Sequence, residues 1–200
     1  MTVGRGPGRP AAATRDQVLE LARREFVAGR RLDVRAITTE LGLARATVYR
    51  WFGSRDGLLG EMIAADAEQY FRRVRARVRT RGSRALLETF DQINRGLARS
   101  DALRRFLEQE REGALRILTS SGGIVEPRAV AVIAELIEAE VRRGAYDPLV
   151  EVPTLAYAIV GLANAFLYND AVAGIRGDVD RLRSVEAALL GVSGGSRSGR

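Results

Sequence analysis

Residues 32–59 read LDVRAITTELGLARATVYRWFGSRDGLL, and this stretch decides the fold. Asp33 stands just before an amphipathic run, where a short acidic side chain caps a helix. Val34, Ile37 and Leu41 follow at helical spacing, and Gly42 takes the position past the last turn. A second short helix runs roughly from Arg45 to Trp51. Two short helices joined by Gly42-Leu43-Ala44 have the layout of a helix-turn-helix, in which the glycine is left-handed and the second helix enters the DNA major groove. The helices cross at Thr38, four residues before the glycine, where the side chain must be small. Val48, six after it, must be apolar to reach the core. A purely structural helical hairpin satisfies the same pattern.

Working outward, Thr14 and Gln17 form a capping box, and Val18, Leu21, Ala22 and Phe26 make one apolar face that ends at Gly29. Downstream, a long helix is expected from Ser54 to about Thr80, carrying Leu58, Leu59, Met62, Ile63, Tyr70, Val74 and Val78. Its six arginines between Arg72 and Arg81 surround the helix, as on a solvated connector. From Ser83 the period remains helical through Leu86, Leu87, Phe90, Ile93, Leu97, Leu103, Phe106, Leu107, Leu115 and Leu118, with a break at Ser120–Gly123. Another helix opens around Glu126-Pro127 and ends at Gly144. Pro153 starts an apolar helix over Leu155–Tyr168, and a last one runs from Asp178 to about Leu190. No strand alternation occurs, so the class is all-α: a three-helix head over 13–60, with the helix-turn-helix at about 33–52, and a larger helical body over 61–190. Residues 1–12 and 191–200, rich in Gly, Arg and Ser, are expected to be disordered tails.

Composition removes most catalytic chemistry. All 32 basic residues are arginine, and the chain has no lysine, histidine or cysteine. Ser-His-Asp and Cys-His nucleophiles, Cys/His zinc sites and disulfides are therefore excluded. Carboxylate chemistry alone survives, and the nearest cluster, Glu108, Glu110 and Glu112, alternates at a spacing of two along a helical stretch, so its members do not share a face. No cofactor is expected. Residues 1–17 contain no apolar signal core, and the 14-residue apolar run Leu155–Tyr168 is short of the roughly 20 that span a bilayer, so a cytoplasmic protein without a membrane partner is expected.

The net charge of +7 is segregated. Residues 1–82 hold 17 arginines against 9 acids, net +8, whereas 83–200 hold 15 against 16. A basic head on a near-neutral body suits a polyanion partner. Gly8-Arg9-Pro10 is similar to the core of AT-hook segments, which lay an arginine into a narrow minor groove, so Arg9 is a candidate DNA contact.

The stretch 32–59 resembles the DNA-binding signature of TetR-family transcriptional repressors, in which a Thr-hydrophobic-Tyr-x-x-Phe run precedes a Ser-Lys/Arg-Asp/Glu-x-Leu-Leu helix start. Thr47-Val48-Tyr49-Arg50-Trp51-Phe52 and Ser54-Arg55-Asp56-Gly57-Leu58-Leu59 match at the expected spacing, and residues 13 to about 60 follow the pattern closely. Helical geometry and this resemblance together send Val48 and Phe52 inward and leave Arg45, Ala46, Tyr49 and Arg50 facing the groove. Arg45 is the first candidate for bidentate contact to a guanine, with Arg35 the second candidate for a base or phosphate contact. Ala46 suits a thymine methyl, and Thr47, Tyr49 and Arg55 suit phosphates. Trp51 stands where the family usually has histidine and is expected to pack. Ala44 departs from the Ser or Thr usual before this helix and cannot cap it, a loss of about 1 kcal/mol.

The resemblance also implies a homodimer built from the last two helices, with Ala158, Gly161, Ala165, Leu182 and Leu189 as interface candidates. It implies a cavity for a small, mostly apolar effector, for which Phe90, Phe106, Arg111, Tyr157, Asn164, Phe166 and Tyr168 are candidates. Phe166-Leu167-Tyr168-x-Asp170-x-x-Ala173-Gly174 resembles regulators of γ-butyrolactone signal breakdown, and without metal-binding histidines such a protein would sense the lactone rather than cleave it. The expected function is a dimeric repressor that binds a pseudo-palindromic operator on double-stranded DNA and is released by its effector. A sequence-tolerant architectural DNA-binding protein and a small carboxylate enzyme are the alternatives.

Overall fold

The Thr14 hydroxyl accepts from the Gln17 N–H at 3.3 Å, while the Gln17 side chain accepts from the Thr14 N–H at 2.8 Å. In the computed structural model, which describes residues 13–169 and 178–192, this capping box opens α1 (Arg15–Val27). The head continues with α2 (Val34–Glu40) and α3 (Arg45–Phe52). The body comprises α4 (Arg55–Arg77), α5 (Gly82–Ala98), α6 (Asp101–Gln109), α7 (Arg111–Thr119), α8 (Val125–Arg142) and α9 (Val152–Asn164), then a π-helical turn (Ala165–Asn169) and α10 (Val179–Leu189). No strand occurs among the described residues, and no helix there is long and apolar enough to cross a membrane.

Local chemistry explains the head. Asp33 caps α2 by accepting from the Arg35 N–H at 2.7 Å. Gly42 turns the chain at φ +64°, a conformation that side chains rarely adopt, and the Leu43 N–H reaches back to the Thr38 carbonyl at 2.9 Å. Thr38 is buried at the helix crossing and hides its hydroxyl by donating to the Arg35 carbonyl at 3.0 Å. Ser54 caps α4 through the Gly57 N–H. Gly57 is required by packing: a Cβ there would lie 2.0 Å from the Phe52 carbonyl oxygen, so only glycine lets the end of α3 settle on the first turn of α4.

Two apolar cores meet along α4. One joins Val18, Ile37, Val48 and Phe52 of the head to Leu58 and Met62 of α4, Phe106 of α6, Leu118 of α7 and Tyr168. The other joins Phe71 and Val74 of α4 to Phe90, Ile137, Ile159 and Leu190. The expected boundary between residues 60 and 61 thus falls inside a continuous helix and inside a shared core. Where α4, α5 and α8 converge, the buried Glu140 carboxylate accepts from the Gly82 N–H at 2.8 Å, from Arg143 at 2.7 Å and from Arg75. Burial pushes this carboxyl upward in pKa, but the Gly82 N–H and the Arg75 guanidinium outweigh it and hold the group below its ordinary value.

Several elements differ from expectation. α4 ends at Arg77, three residues before Thr80, because Val78 turns extended and buries its side chain. Glu110 leaves helical geometry at φ −133°, ψ 48°, and divides α6 from α7, so Glu108, Glu110 and Glu112 do not lie along one helix. The helix expected over Leu155–Tyr168 is α-helical only to Asn164 and finishes as the π turn. Residues 191 and 192, expected in the tail, close α10, with the Val192 N–H donating to the Ala187 carbonyl at 2.9 Å. Residues 1–12 and 193–200, assigned to the tails, lie outside the described residues, as do Arg9, Asp170, Ala173 and Gly174.

Candidate nucleic-acid interface and ligand cavity

On α3, Val48 and Phe52 are buried while Arg45, Ala46, Tyr49 and Arg50 are exposed, so one face anchors the helix and the opposite face is offered to solvent. Thr47 is half-buried beside that face, and Arg35 is exposed on the first turn of α2. Ala44 makes no side-chain cap, so the first turn of α3 relies on its backbone. Trp51 packs half-buried, its ring edge-on to Phe52 at 6.4 Å, and Arg15 lies 4.7 Å over the Phe52 ring.

Ion pairing sorts the arginines of the head. Arg15, Arg23, Arg24, Arg30, Arg31 and Arg55 each have a carboxylate within 4.0 Å. Arg35, Arg45 and Arg50 have none among the described residues, and these three stand on the helix-turn-helix. A surface with unpaired guanidinium groups beside Tyr49 and Thr47 hydroxyls can bind phosphates and base edges. Arg55 does not belong to that surface. Its Nε donates to the Leu32 carbonyl at 3.0 Å and its terminal nitrogens bind Glu110, so the guanidinium is turned into the junction between head and body and is not available to a phosphate.

α1 of the head and the body helices α4 to α9, with the π turn and α10, line a cavity of about 540 Å³. Of the expected lining residues, Phe90, Asn164 and Tyr168 are brought together there. Phe106 instead packs edge-on against Phe26 at 5.5 Å, Arg111 and Tyr157 are exposed, and Phe166 is half-buried away from the space. Each of these four stands on a helix face turned from the cavity. The lining also includes residues the sequence reading missed: Arg23 and Phe26 from α1, Met62, Asp66 and Tyr70 from α4, Asn94 from α5, Glu126 from α8 and Glu186 from α10. Arg23 and Asp66 form a forked pair at its edge, and Asn94 donates to Glu186 at 2.9 Å. Glu186 is fully buried, and desolvation pushes its carboxyl up to about 7, against the Asn94 hydrogen bond that opposes the rise. Burial likewise pushes the Tyr168 hydroxyl up to about 12.

The outer face of α9 is largely apolar and uncovered, and α10 beside it exposes Val185 and Ala188 among Arg181, Arg183 and Ser184. Tyr157 is 57% and Val185 38% exposed, and Ala158, Gly161 and Ala165 are half-exposed, with open space where a Gly161 Cβ would stand. Leu182 is fully buried within the chain itself and so offers no side chain to a mate, while Leu189 is half-buried against the core that holds Phe90, Ile137 and Leu190. Among the described residues, no three carboxylates gather as a metal site would require.

Residues 81–191 match a family model described as the tetracyclin repressor-like C-terminal domain. Among solved structures, the transcriptional repressor QsdR of R. erythropolis, from the TetR family, is similar at 25% identity, covering 92% of this chain and 97% of that chain with a TM-score of 0.84. The TetR-family regulator PfmR of Thermus thermophilus is similar at 19% identity, covering 88% and 97%, with a TM-score of 0.43. A cysteine-substituted TetR-family regulator, CifR, in complex with 26-base-pair operator DNA is similar at 19% identity, covering 94% and 100%, with a TM-score of 0.48. No match is found among curated protein sequences.

Proposed function

The chain belongs to the TetR family of transcriptional regulators, and from that premise we propose that it is a dimeric repressor that binds a pseudo-palindromic operator and releases it when a small, mostly apolar effector fills the body cavity. The observation that carries this reading is the sorting of the head's arginines: those that remain without a carboxylate partner, Arg35, Arg45 and Arg50, are the ones exposed on the helix-turn-helix. Arg45, at the first turn of α3, would reach a guanine edge. Arg50 and the Tyr49 hydroxyl would hold phosphates, Thr47 would add a further phosphate contact, and Ala46 would touch a thymine methyl. Likeness to a transcriptional repressor over 92% of the chain supports repression as the outcome of binding.

Two heads must be held at a fixed separation to read two half-sites, and the uncovered, largely apolar face of α9, bordered by the mixed face of α10, would supply a surface for a two-fold mate. Tyr157 moves from the cavity to this face, beside Ala158, Gly161 and Ala165. The cavity is lined by α1 of the head as well as by α4, so a molecule entering it would bear directly on the recognition module. Such a protein would act on DNA in the cytoplasm and needs no cofactor.

The test is equilibrium binding to duplex DNA by the protein and by a variant carrying Arg35→Ala, Arg45→Ala and Arg50→Ala together. All three side chains are exposed and unpaired, so the variant should fold and melt as the parent does, yet lose affinity by about 100-fold or more. Unchanged DNA affinity in the folded variant would remove the proposed interface.

A further inference from the structure

Glu186 brings a carboxylate into the apolar body and leaves half of it without a partner. Its Oε1 accepts from Asn94 at 2.9 Å, while Oε2 is buried with no hydrogen-bond partner among the described residues, and the side chain lines the cavity. A buried carboxylate oxygen left without a partner is costly, more so when ionised, so its place on a cavity wall suits a visitor that pairs with it.

The remaining polar groups give the sign of the visitor. Glu126, also buried, faces the same space and accepts from Asn164 at 3.4 Å. Amide hydrogens of Asn94 and Asn164 are thus turned onto carboxylates, the Arg23 guanidinium is engaged by Asp66, and Arg73 is exposed. The inner wall offers acceptors and negative charge, surrounded by Phe, Leu, Ile and Met side chains, with no unengaged cation among the described residues inside it.

Resting on the reading of this space as an effector cavity, we propose that its ligand is a lipophilic amine, whose alkyl or aryl body fills the apolar volume and whose protonated nitrogen donates to Glu186 Oε2. A lactone offers only acceptors and would pair with Glu186 only if that carboxyl kept its proton. The two ligand classes therefore demand opposite protonation states, and pH separates them. The groups acting on Glu186 are Asp91 and Asn94 on α5 and Arg183 on its own helix; Tyr168 of the π turn lines the same cavity, and α9, also packed on α10, adds the uncharged Ile159, Val160, Ala163 and Asn164 to its wall. Desolvation and Asp91 raise the Glu186 carboxyl to about 7 against the opposing Asn94 and Arg183, which places its ionisation in the accessible range.

The experiment is calorimetric titration of the full chain with n-decylamine and with γ-decalactone at pH 6 and pH 8, in the parent and in Glu186→Gln. Decylamine should bind the parent, with affinity rising about tenfold from pH 6 to pH 8 as Glu186 ionises, and at pH 8 it should exceed the lactone by about tenfold or more. Glu186→Gln, the same size and uncharged, should lose that advantage and the pH dependence. The pH arm needs no variant, so it decides the matter even if the substitution disturbs folding. Tighter binding of the lactone that strengthens toward pH 6, amine binding that ignores both pH and the substitution, or no amine binding at all would each overturn the proposal. A parallel readout of duplex DNA release separates this from the broader reading. Amine binding of the stated kind without release would refute the effector role alone, whereas release by the lactone with no amine binding would refute the amine alone.

Discussion

Arg23 on α1 donates from Nε to both carboxylate oxygens of Asp66 on α4, each at 2.9 Å, and both side chains border the body cavity. The first helix of the head and the first long helix of the body are thereby pinned together at the edge of the space an effector would fill. The guanidinium also takes up Glu20, and its pKa is raised, chiefly by the hydrogen bond to Asp66. Both members of the fork are about a third exposed, so solvent screens the pair. A double-mutant cycle with Arg23→Gln and Asp66→Asn in denaturant unfolding should give a coupling of about 0.5–1 kcal/mol. Additive effects of the two changes would show that the fork does not hold α1 to α4.

Arg45→Ala should cost about 1–3 kcal/mol of operator binding and relax preference at one base-pair position, because a bidentate arginine reads a specific base. Arg50→Ala should weaken binding evenly across sequences and flatten the salt dependence by about one counterion, as loss of a phosphate contact does. Binding isotherms over a set of single-base operator variants and a salt series distinguish the two. An Arg45→Ala protein with unaltered sequence preference would remove that residue from base reading.

Arg55 belongs to the junction. Arg55→Ala should lower stability by about 1–3 kcal/mol, since it strands Glu110 and the Leu32 carbonyl in a partly buried site, and it should leave the salt slope of DNA binding unchanged. A slope lower by one at unaltered stability would return Arg55 to the phosphate contacts.

Gly57→Ala would bring a methyl group against the Phe52 carbonyl, which lies 2.0 Å from the position of that Cβ. Separation of α3 from α4 is the only relief, so urea unfolding should show a loss of about 1–3 kcal/mol together with weakened DNA binding. Parent-like stability in this variant would show that the two helices do not pack as closely as described.

Glu186 makes stability depend on pH. Its carboxyl is raised to about 7 in the folded chain, so between the ordinary carboxylate range and that value the folded state holds a proton the unfolded chain has lost. Stability therefore falls as pH rises through this window, by roughly 3 kcal/mol for this group. Glu186→Gln should be more stable than the parent at pH 8 and close to it at pH 5. An equal difference at both pH values would place Glu186 in an ordinary, solvated state.

The head was legible because its signals are local. Thr14 and Gln17, Asp33, Gly42 and the spacing of Val48 and Phe52 each specify structure within a few residues, and each is found in the predicted role. The cavity was not, because apolar residues at helical spacing do not reveal which neighbour their face will meet. Phe90 and Phe106 look alike in sequence, yet one lines the cavity and the other packs on Phe26. Arg55 matched its motif, but its partner Glu110 lies 55 positions away in a break that the helical period concealed. Glu186 did carry a signal. It stands four residues after Leu182 and four before Leu190, both buried, so an acid interrupts the core stripe of α10, and such an interruption marks a group held inside for a reason.

Selection of bound sites from a random pool of DNA duplexes by the purified protein tests the central claim most directly, since it reads specificity and symmetry in one measurement. A two-fold symmetric inverted repeat should emerge, preferred over random DNA by about 10³ or more, with half-sites spaced for two recognition helices about one helical turn apart or a multiple of it. Recovery of no preferred sequence, or of a single unrepeated half-site, would contradict a dimeric operator-binding regulator.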